Sequence, residues 1–554
     1  MIQIQMAGEP ARLYPSGISW QQIAAERERG PAEAPIMCVE SGHQLYELSE
    51  SVKRDCTGKW ITLSDIEGYR IYVRTLLYLF ITSAQQVLGR DKRAVVLHSL
   101  GGNLYIEVRQ AQETYLLSER QIGAILAKMR QLVRQNEPIH KQTYTMDDAM
   151  NVFAEKNRQD KKQLLHYRAS SNINLYSLCS EKDYFYGGML PSAGALQWFN
   201  LIPYEEGVML ITPQRTAPYS LRSFTPQPKL FGVFQQSKRW SRILQVENVG
   251  ALNECIASGE IENLVQISEA LHAKQIAEMA SRIAGKQTVK LVLVAGPSSS
   301  GKTTFAQKLG IQLRAEGMRP HLISMDNYFI NRDEVPFGED GLQDFEALEA
   351  VDTALFNVHM QQLLEGRSVE LPVYNFKTGK REFRGDILKL GDADVLIVEG
   401  IHCLNEEVSK EIPKAQKFKI YISAITMLNI DDHNRIPTTD GRLLRRMVRD
   451  YQHRATSAAD TIRRWPSVRN GEERNIFPFQ EAADEIFNSA HIYELAVLKT
   501  YAEPLLFKIQ KEEPEYKEAR RLIKFLDYFL SVSSEVVPEM SIIREFIGGG
   551  IYRQ

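Results

Sequence analysis

Between Leu291 and Thr304 the chain reads LVLVAGPSSSGKTT, an apolar run followed by Gly296, Gly301 and a Lys-Thr pair. Small residues at this spacing let successive backbone N–H groups, from Ser298, Ser299 and Ser300 through Gly301 to Thr304, converge on phosphate oxygens where a helix begins. Gly296 and Gly301 permit the tight turn and the close approach of backbone to ligand. Lys302 is then expected to reach the β/γ-phosphates, and the Thr303 hydroxyl to face Mg²⁺. The expected ligand is a nucleoside triphosphate, ATP or GTP, with Mg²⁺.

Two carboxylates and a basic helix extend this chemistry. HLISMDNYF reads as an apolar strand ending at Asp326, and ligands of open α/β sheets lie beyond the carboxyl ends of strands. A carboxylate there can take a proton from an attacking hydroxyl. ADVLIVEG ends in the same way at Glu399, a position suited to holding Mg²⁺. In GRLLRRMVRDYQHR, residues Arg442, Arg445, Arg446 and Arg449 fall on one helical stripe, with Arg454 beyond and Asp450 as the one acid among them. The spacing predicts an anion-closing lid, because guanidinium forks bind phosphate bidentately.

Positioning these groups requires a multidomain chain. With 554 residues the chain exceeds one core. We read residues 1–65 as a small β-rich unit and 66–235 as an α+β unit. Residues 236–287 read as a connecting helical segment, 288–510 as an α/β unit with a parallel sheet, and 511–554 as a helical tail. DYFYGGML reads as a strand, 146–159 as one helix and 253–286 as another. Lys+Arg 67 against Asp+Glu 69 gives a net charge of −2, so no global basic field points to nucleic acid. The five cysteines lack paired spacing, which argues against a zinc cluster or disulfide framework and for a reducing compartment. With no basic leader and no run of about 20 apolar residues, the expected setting is cytoplasmic, away from membranes.

As a set, GPSSSGKTT, SMDNYF, ELPVYNF, DVLIVEGI and the DxRLLRRMVRDYxxR-type helix resemble the uridine kinase and phosphoribulokinase family in order and type. The resemblance implies phosphorylation of a nucleoside 5′-hydroxyl by ATP or GTP. It makes Asp326 the general base, Lys302 the phosphate-binding lysine, and Thr303 with Glu399 the Mg²⁺ ligands. It also implies that Tyr328, Glu346 (or Asp344), Tyr374 and Arg446 contact the acceptor, while Arg449 and Arg454 hold phosphates. Residues 1–65 resemble the ubiquitin-like (β-grasp) TGS domain of threonyl-tRNA synthetases. Residues 66–235 resemble the second additional domain of those enzymes, but TLLYLFITSAQQ carries no histidine. Phe185 and Met189 stand where the later Cys and His would be, and neither can hold zinc. His98 and His140 read as structural.

Gly379 replaces the histidine that uridine kinases carry after the pocket tyrosine, so a sugar phosphate or another small alcohol stays open as acceptor. WPSVRNGEERNIFPFQEAAD departs from the family pattern and has no assigned role. A third alternative is a nucleotide-switched regulator that contacts RNA or the ribosome through the front half. Homo-oligomerisation is also left open.

Overall fold

The computed structural model describes residues 1–552, apart from 28–29, 31–32, 112, 339–340 and 342. The C-terminal half is organised by five parallel strands in the spatial order Arg319–Ser324, Asp394–Glu399, Leu291–Ala295, Lys417–Ser423 and Glu485–Asn488. The central strands are continuous runs of Val, Ile and Leu because both faces are covered. All five residues of Leu291–Ala295 are buried. One face packs on Phe305 and Leu309 of the helix Lys302–Ala315 and on Ile276, Met279 and Ile283 of Ile261–Gly285. The other meets Phe356 and Met360 of Thr353–Leu364 and Leu230 and Phe234 of Pro228–Ile243. The parallel α/β unit expected of the C-terminal part is present.

The front of the chain forms a mixed five-stranded sheet, ordered Arg12–Tyr14, Ile2–Met6, Cys56–Thr62, Ile36–Ser41 and Gln44–Glu47, with Ile2–Met6 parallel to Cys56–Thr62. Its helix Trp20–Ala25 starts with a capping box between Ser19 and Gln22. The helix Ile66–Leu88 follows, buried through its middle from Thr75 to Ala84. Antiparallel sheets built on Lys92–Leu100, Asn103–Gln110, Ile139–Thr145, Asn172–Leu178 and Gly207–Ile211 complete this half.

Three element expectations need correction. Tyr184–Leu190 is irregular; only Glu181–Asp183 pairs as strand. Gly187 and Gly188 explain this, since a Cβ on either would press on Arg74 or Glu47. The expected helix 146–159 is two, Met146–Glu155 and Gln159–His166. The connector is also two helices, Val249–Ala257 and Ile261–Gly285, broken at Gly259, whose φ is +82°. The tail is no loose appendage. Leu522, Phe525, Phe529 and Ile543 share one core with Leu444, Met447 and Leu498. Among the described residues, no helix is long and apolar enough to cross a membrane.

Candidate active site

Neighbouring strands bring the chemistry to one edge. In the sheet register both Val294 and Ser324 pair with Glu399. The loop that starts at Gly296, the turn carrying Asp326, and Glu399 therefore open side by side. A Cβ on Gly296 would sit 2.0 Å from the Ile422 carbonyl oxygen, and Gly301 takes φ +84°, so both positions require glycine. Lys302 starts the following helix and donates Nζ–H to the Gly296 carbonyl at 3.0 Å. The Thr303 hydroxyl lies 3.4 Å from Glu399 Oε1.

Three half-buried carboxylates face this loop. Burial pushes Asp326 above the usual carboxylate range, opposed by the charges of Lys302 and Arg454. Burial pushes Glu399 up to about 7, with Lys302 opposing and Asp326 and Glu545 adding to the rise. Glu346 is likewise pushed up to about 7 by burial, with Arg446 opposing. These influences put Asp326, Glu346, Glu399, Lys302, Arg446 and Arg454 in one electrostatic neighbourhood. Among the described residues no cluster of three or more His, Cys, Asp or Glu is arranged to hold a metal.

The arginine helix, Thr438–His453, divides into two roles. Arg442 and Arg445 are fully buried, which corrects their expected place in a lid. Arg442 pairs with Glu472 and donates to the Ser298 carbonyl at 3.0 Å; Arg445 pairs with Glu494 at 2.5 Å and donates to the Ser489 carbonyl at 2.9 Å. They brace the loop from behind. Arg446 turns to the site and donates to Ser298 Oγ at 2.7 Å. Asp450 gathers Arg446, Arg449 and Arg454 at 3.3, 2.7 and 3.7 Å.

Tyr328 is a second correction. It is fully buried, its hydroxyl 3.2 Å from His359 Nδ1 and its ring edge-on to Phe356, which removes it from any acceptor pocket. Tyr374 is buried with its ring against Phe329 and Phe376. Glu346 is held by its own backbone: its carbonyl accepts from Asn475 Nδ2 at 2.7 Å, and Gly471 leaves room for its side chain.

Two site residues escaped the sequence reading. Glu472, from the helix Ala458–Asn475, accepts from the Ser298 backbone N–H at 3.1 Å. Glu545, from the short helix Arg544–Ile547, accepts from the Thr304 backbone N–H at 3.1 Å. The segment without an assigned role is thus a wall of the site. In the front half Phe185 and Met189 are buried, and His98 is stacked on Phe234.

Residues 291–496 match the family model "Phosphoribulokinase / Uridine kinase family". The uridine kinase of Brevibacillus brevis is 28% identical over 178 residues, covering 32% of this chain and 74% of that protein. The uridine kinase of Bacillus pumilus is 29% identical over 194 residues, covering 35% and 83%. Among solved structures, D-glycerate 3-kinase from Cryptococcus neoformans shares 13% identity with a TM-score of 0.22, covering 46% of this chain and 87% of that one. By the family model and the curated relatives, residues 291–496 are a P-loop kinase domain, a phosphotransferase with an alcohol acceptor. More specifically, residues 291–496 form a domain of the phosphoribulokinase and uridine kinase family.

Proposed function

We propose that the kinase domain transfers the γ-phosphate of ATP or GTP to the 5′-hydroxyl of a nucleoside, with Mg²⁺ as cofactor. The observation that carries this reading is the register that sets the phosphate loop, Asp326 and Glu399 along one sheet edge. Asp326 takes the proton of the attacking hydroxyl, and its partial burial makes the carboxylate a stronger base than a solvated one. Lys302 turns from the Gly296 carbonyl to the phosphates, and Arg446, Arg449 and Arg454 neutralise the charge that develops on transfer. Glu346 and Tyr374 line the acceptor side.

Thr303 and Glu399 fit Mg²⁺. Both present hard oxygens 3.4 Å apart, and a carboxylate pushed up to about 7 gains most from an adjacent cation. When bound, that ion would supply positive charge to offset the charge of the phosphates. The test is acceptor-dependent ADP release by the purified chain. ADP formed only when a nucleoside is present supports the reading; ADP formed equally without one contradicts it.

A second acceptor class, a sugar phosphate or another small alcohol, is favoured by Gly379. It takes φ +70°, and a Cβ there would meet Arg332 at 2.8 Å, so this turn offers no side chain to read a base. For the front half we propose a degenerate synthetase-like module, β-grasp unit first, without editing activity. The sheet order of residues 2–62 and the burial of Phe185 and Met189 support that reading. An RNA-contacting, nucleotide-switched role for the chain is the remaining alternative, supported by the same resemblance.

A further inference from the structure

A cleft of about 720 Å³ opens far from the phosphate loop, where the two halves of the chain meet. Its walls come from the front sheet near Tyr46, the helix Ile66–Leu88, the Tyr184–Gly188 loop, the segment His433–Pro437 and the helix Tyr516–Leu526. No residue of the phosphate loop lines it. We propose that this cleft is a second binding site, for a nucleotide carrying two or three phosphates.

The charge inventory points to an anion. Many Lys and Arg side chains line the cleft, against three acids, Glu47, Glu50 and Glu67. Those acids are engaged: Lys141 lies 3.2 Å from both Glu47 and Glu50, and Arg70 lies 2.5 Å from Glu67. Arg168, Lys517 and Arg521 are matched by Asp527, Glu40 and Asp440. Four cations remain: Arg74, Arg435, Arg520 and Lys524. Among the described residues none of the four has a carboxylate within 4.0 Å. Arg74 donates to the Gly188 carbonyl, at 2.7 Å, and Arg435 to the Ile436 carbonyl, at 3.3 Å. Like charges held close together, with no carboxylate in direct contact, cost free energy that a bound polyanion recovers.

The shape narrows the class. The volume falls in the range of about 300–1,000 Å³ typical of small-molecule sites, which suits one nucleotide rather than a folded RNA. Tyr46, Tyr69 and Tyr186 add aromatic faces, and Arg74 lies 5.8 Å above the Tyr186 ring. Guanidinium forks for phosphates beside aromatic faces for a base are the chemistry of nucleotide recognition. Gly187 belongs to the same device, because a Cβ there would strike the Arg74 guanidinium at 2.4 Å.

Isothermal titration of the full chain with ADP tests this. The expected result is two sites in the wild type. Lys302→Ala weakens the phosphate-loop site, and Arg520→Ala/Lys524→Ala, on an exposed helix face, weakens the cleft site at least about tenfold. Hydrogen exchange should show helix Tyr516–Leu526 protected by ADP in the wild type, a readout that needs no variant. A single site lost with Lys302→Ala, or no protection of that helix, overturns the proposal. Inorganic pyrophosphate binding the cleft as tightly as ADP overturns the nucleotide class. A single-stranded RNA that displaces ADP from the Lys302→Ala protein more effectively than ADP itself overturns it in favour of RNA.

Discussion

The Glu545 carboxylate accepts a hydrogen bond from the Thr304 backbone N–H, Oε2 to N at 3.1 Å. A tail residue therefore occupies an amide of the motif that otherwise serves phosphate. Its neighbour Ile542 packs on Gly301, and Ile542 and Phe546 are fully buried beside Phe305, so the tail is fixed to the loop. Carboxylate and phosphate compete for one donor. Glu545→Gln is expected to lower the KM for ATP by up to about tenfold, roughly one charge-assisted hydrogen bond, with kcat little changed. Steady-state kinetics checks this; an unchanged or higher KM would show that the carboxylate does not oppose the nucleotide.

Asp326→Asn removes the proposed proton acceptor and keeps the shape. Turnover should fall by about 10²–10⁴-fold. Calorimetric ATP affinity should stay within about twofold, because the lost interaction belongs to the transition state. A variant with wild-type turnover would take Asp326 out of the mechanism.

The pH dependence follows from the same carboxylate. As the proposed base Asp326 would act when ionised, and burial holds it above the usual carboxylate range, so kcat/KM should rise with pH along a limb displaced upward from that range. A limb at the ordinary carboxylate value would contradict this.

Glu399 makes a separate stability prediction. Its folded-state value is raised from 4.5 to about 7, so the native protein binds more protons than the unfolded chain across that window. Its contribution to stability therefore falls as pH rises from about 4.5 to about 7. Glu399→Gln should gain thermal stability relative to the wild type between pH 5 and pH 8, and Mg²⁺ with nucleotide should shrink the difference. Paired melting curves at the two pH values measure it, and a difference that does not grow with pH argues against a raised Glu399.

Glu472→Ala leaves the Arg442 guanidinium buried without its partner. Loss of one member of such a pair costs about 3–5 kcal/mol, so the kinase-domain transition should move down markedly in scanning calorimetry. Glu472→Gln, which keeps a hydrogen-bond acceptor, should lose less. Equal melting of wild type and the alanine variant would show that the pair contributes little.

The residues of this site differ in how far sequence could reveal them. Gly296, Gly301, Lys302 and Thr303 are legible because the chemistry is encoded within one turn. Asp326 and Glu399 are legible because each follows an apolar run: Glu399 ends the strand Asp394–Glu399, and Asp326 sits two residues past the strand Arg319–Ser324. Glu472 and Glu545 meet the same loop from 174 and 241 positions away, and nothing local marks either acid as a partner of a backbone amide. The arginine stripe was visible, but the buried carboxylates that claim Arg442 and Arg445 came from other elements. The resemblance implies a pocket role for Tyr328, yet two positions beyond Asp326 along a tight 3-10 turn its side chain is aimed into the core. Tyr184–Leu190 carried aromatics suited to a strand, and only the contact of its glycines with Arg74 and Glu47 explains the loop.

Identification of the phosphorylated product decides whether the chain transfers phosphate to a nucleoside. With ATP, Mg²⁺ and a panel of nucleosides and sugar alcohols, mass spectrometry and phosphorus NMR would follow the transferred group. A nucleoside 5′-monophosphate should form in step with ADP and be lost in the Asp326→Asn protein. ATP converted to free phosphate with no phosphorylated alcohol in any mixture would contradict this expectation.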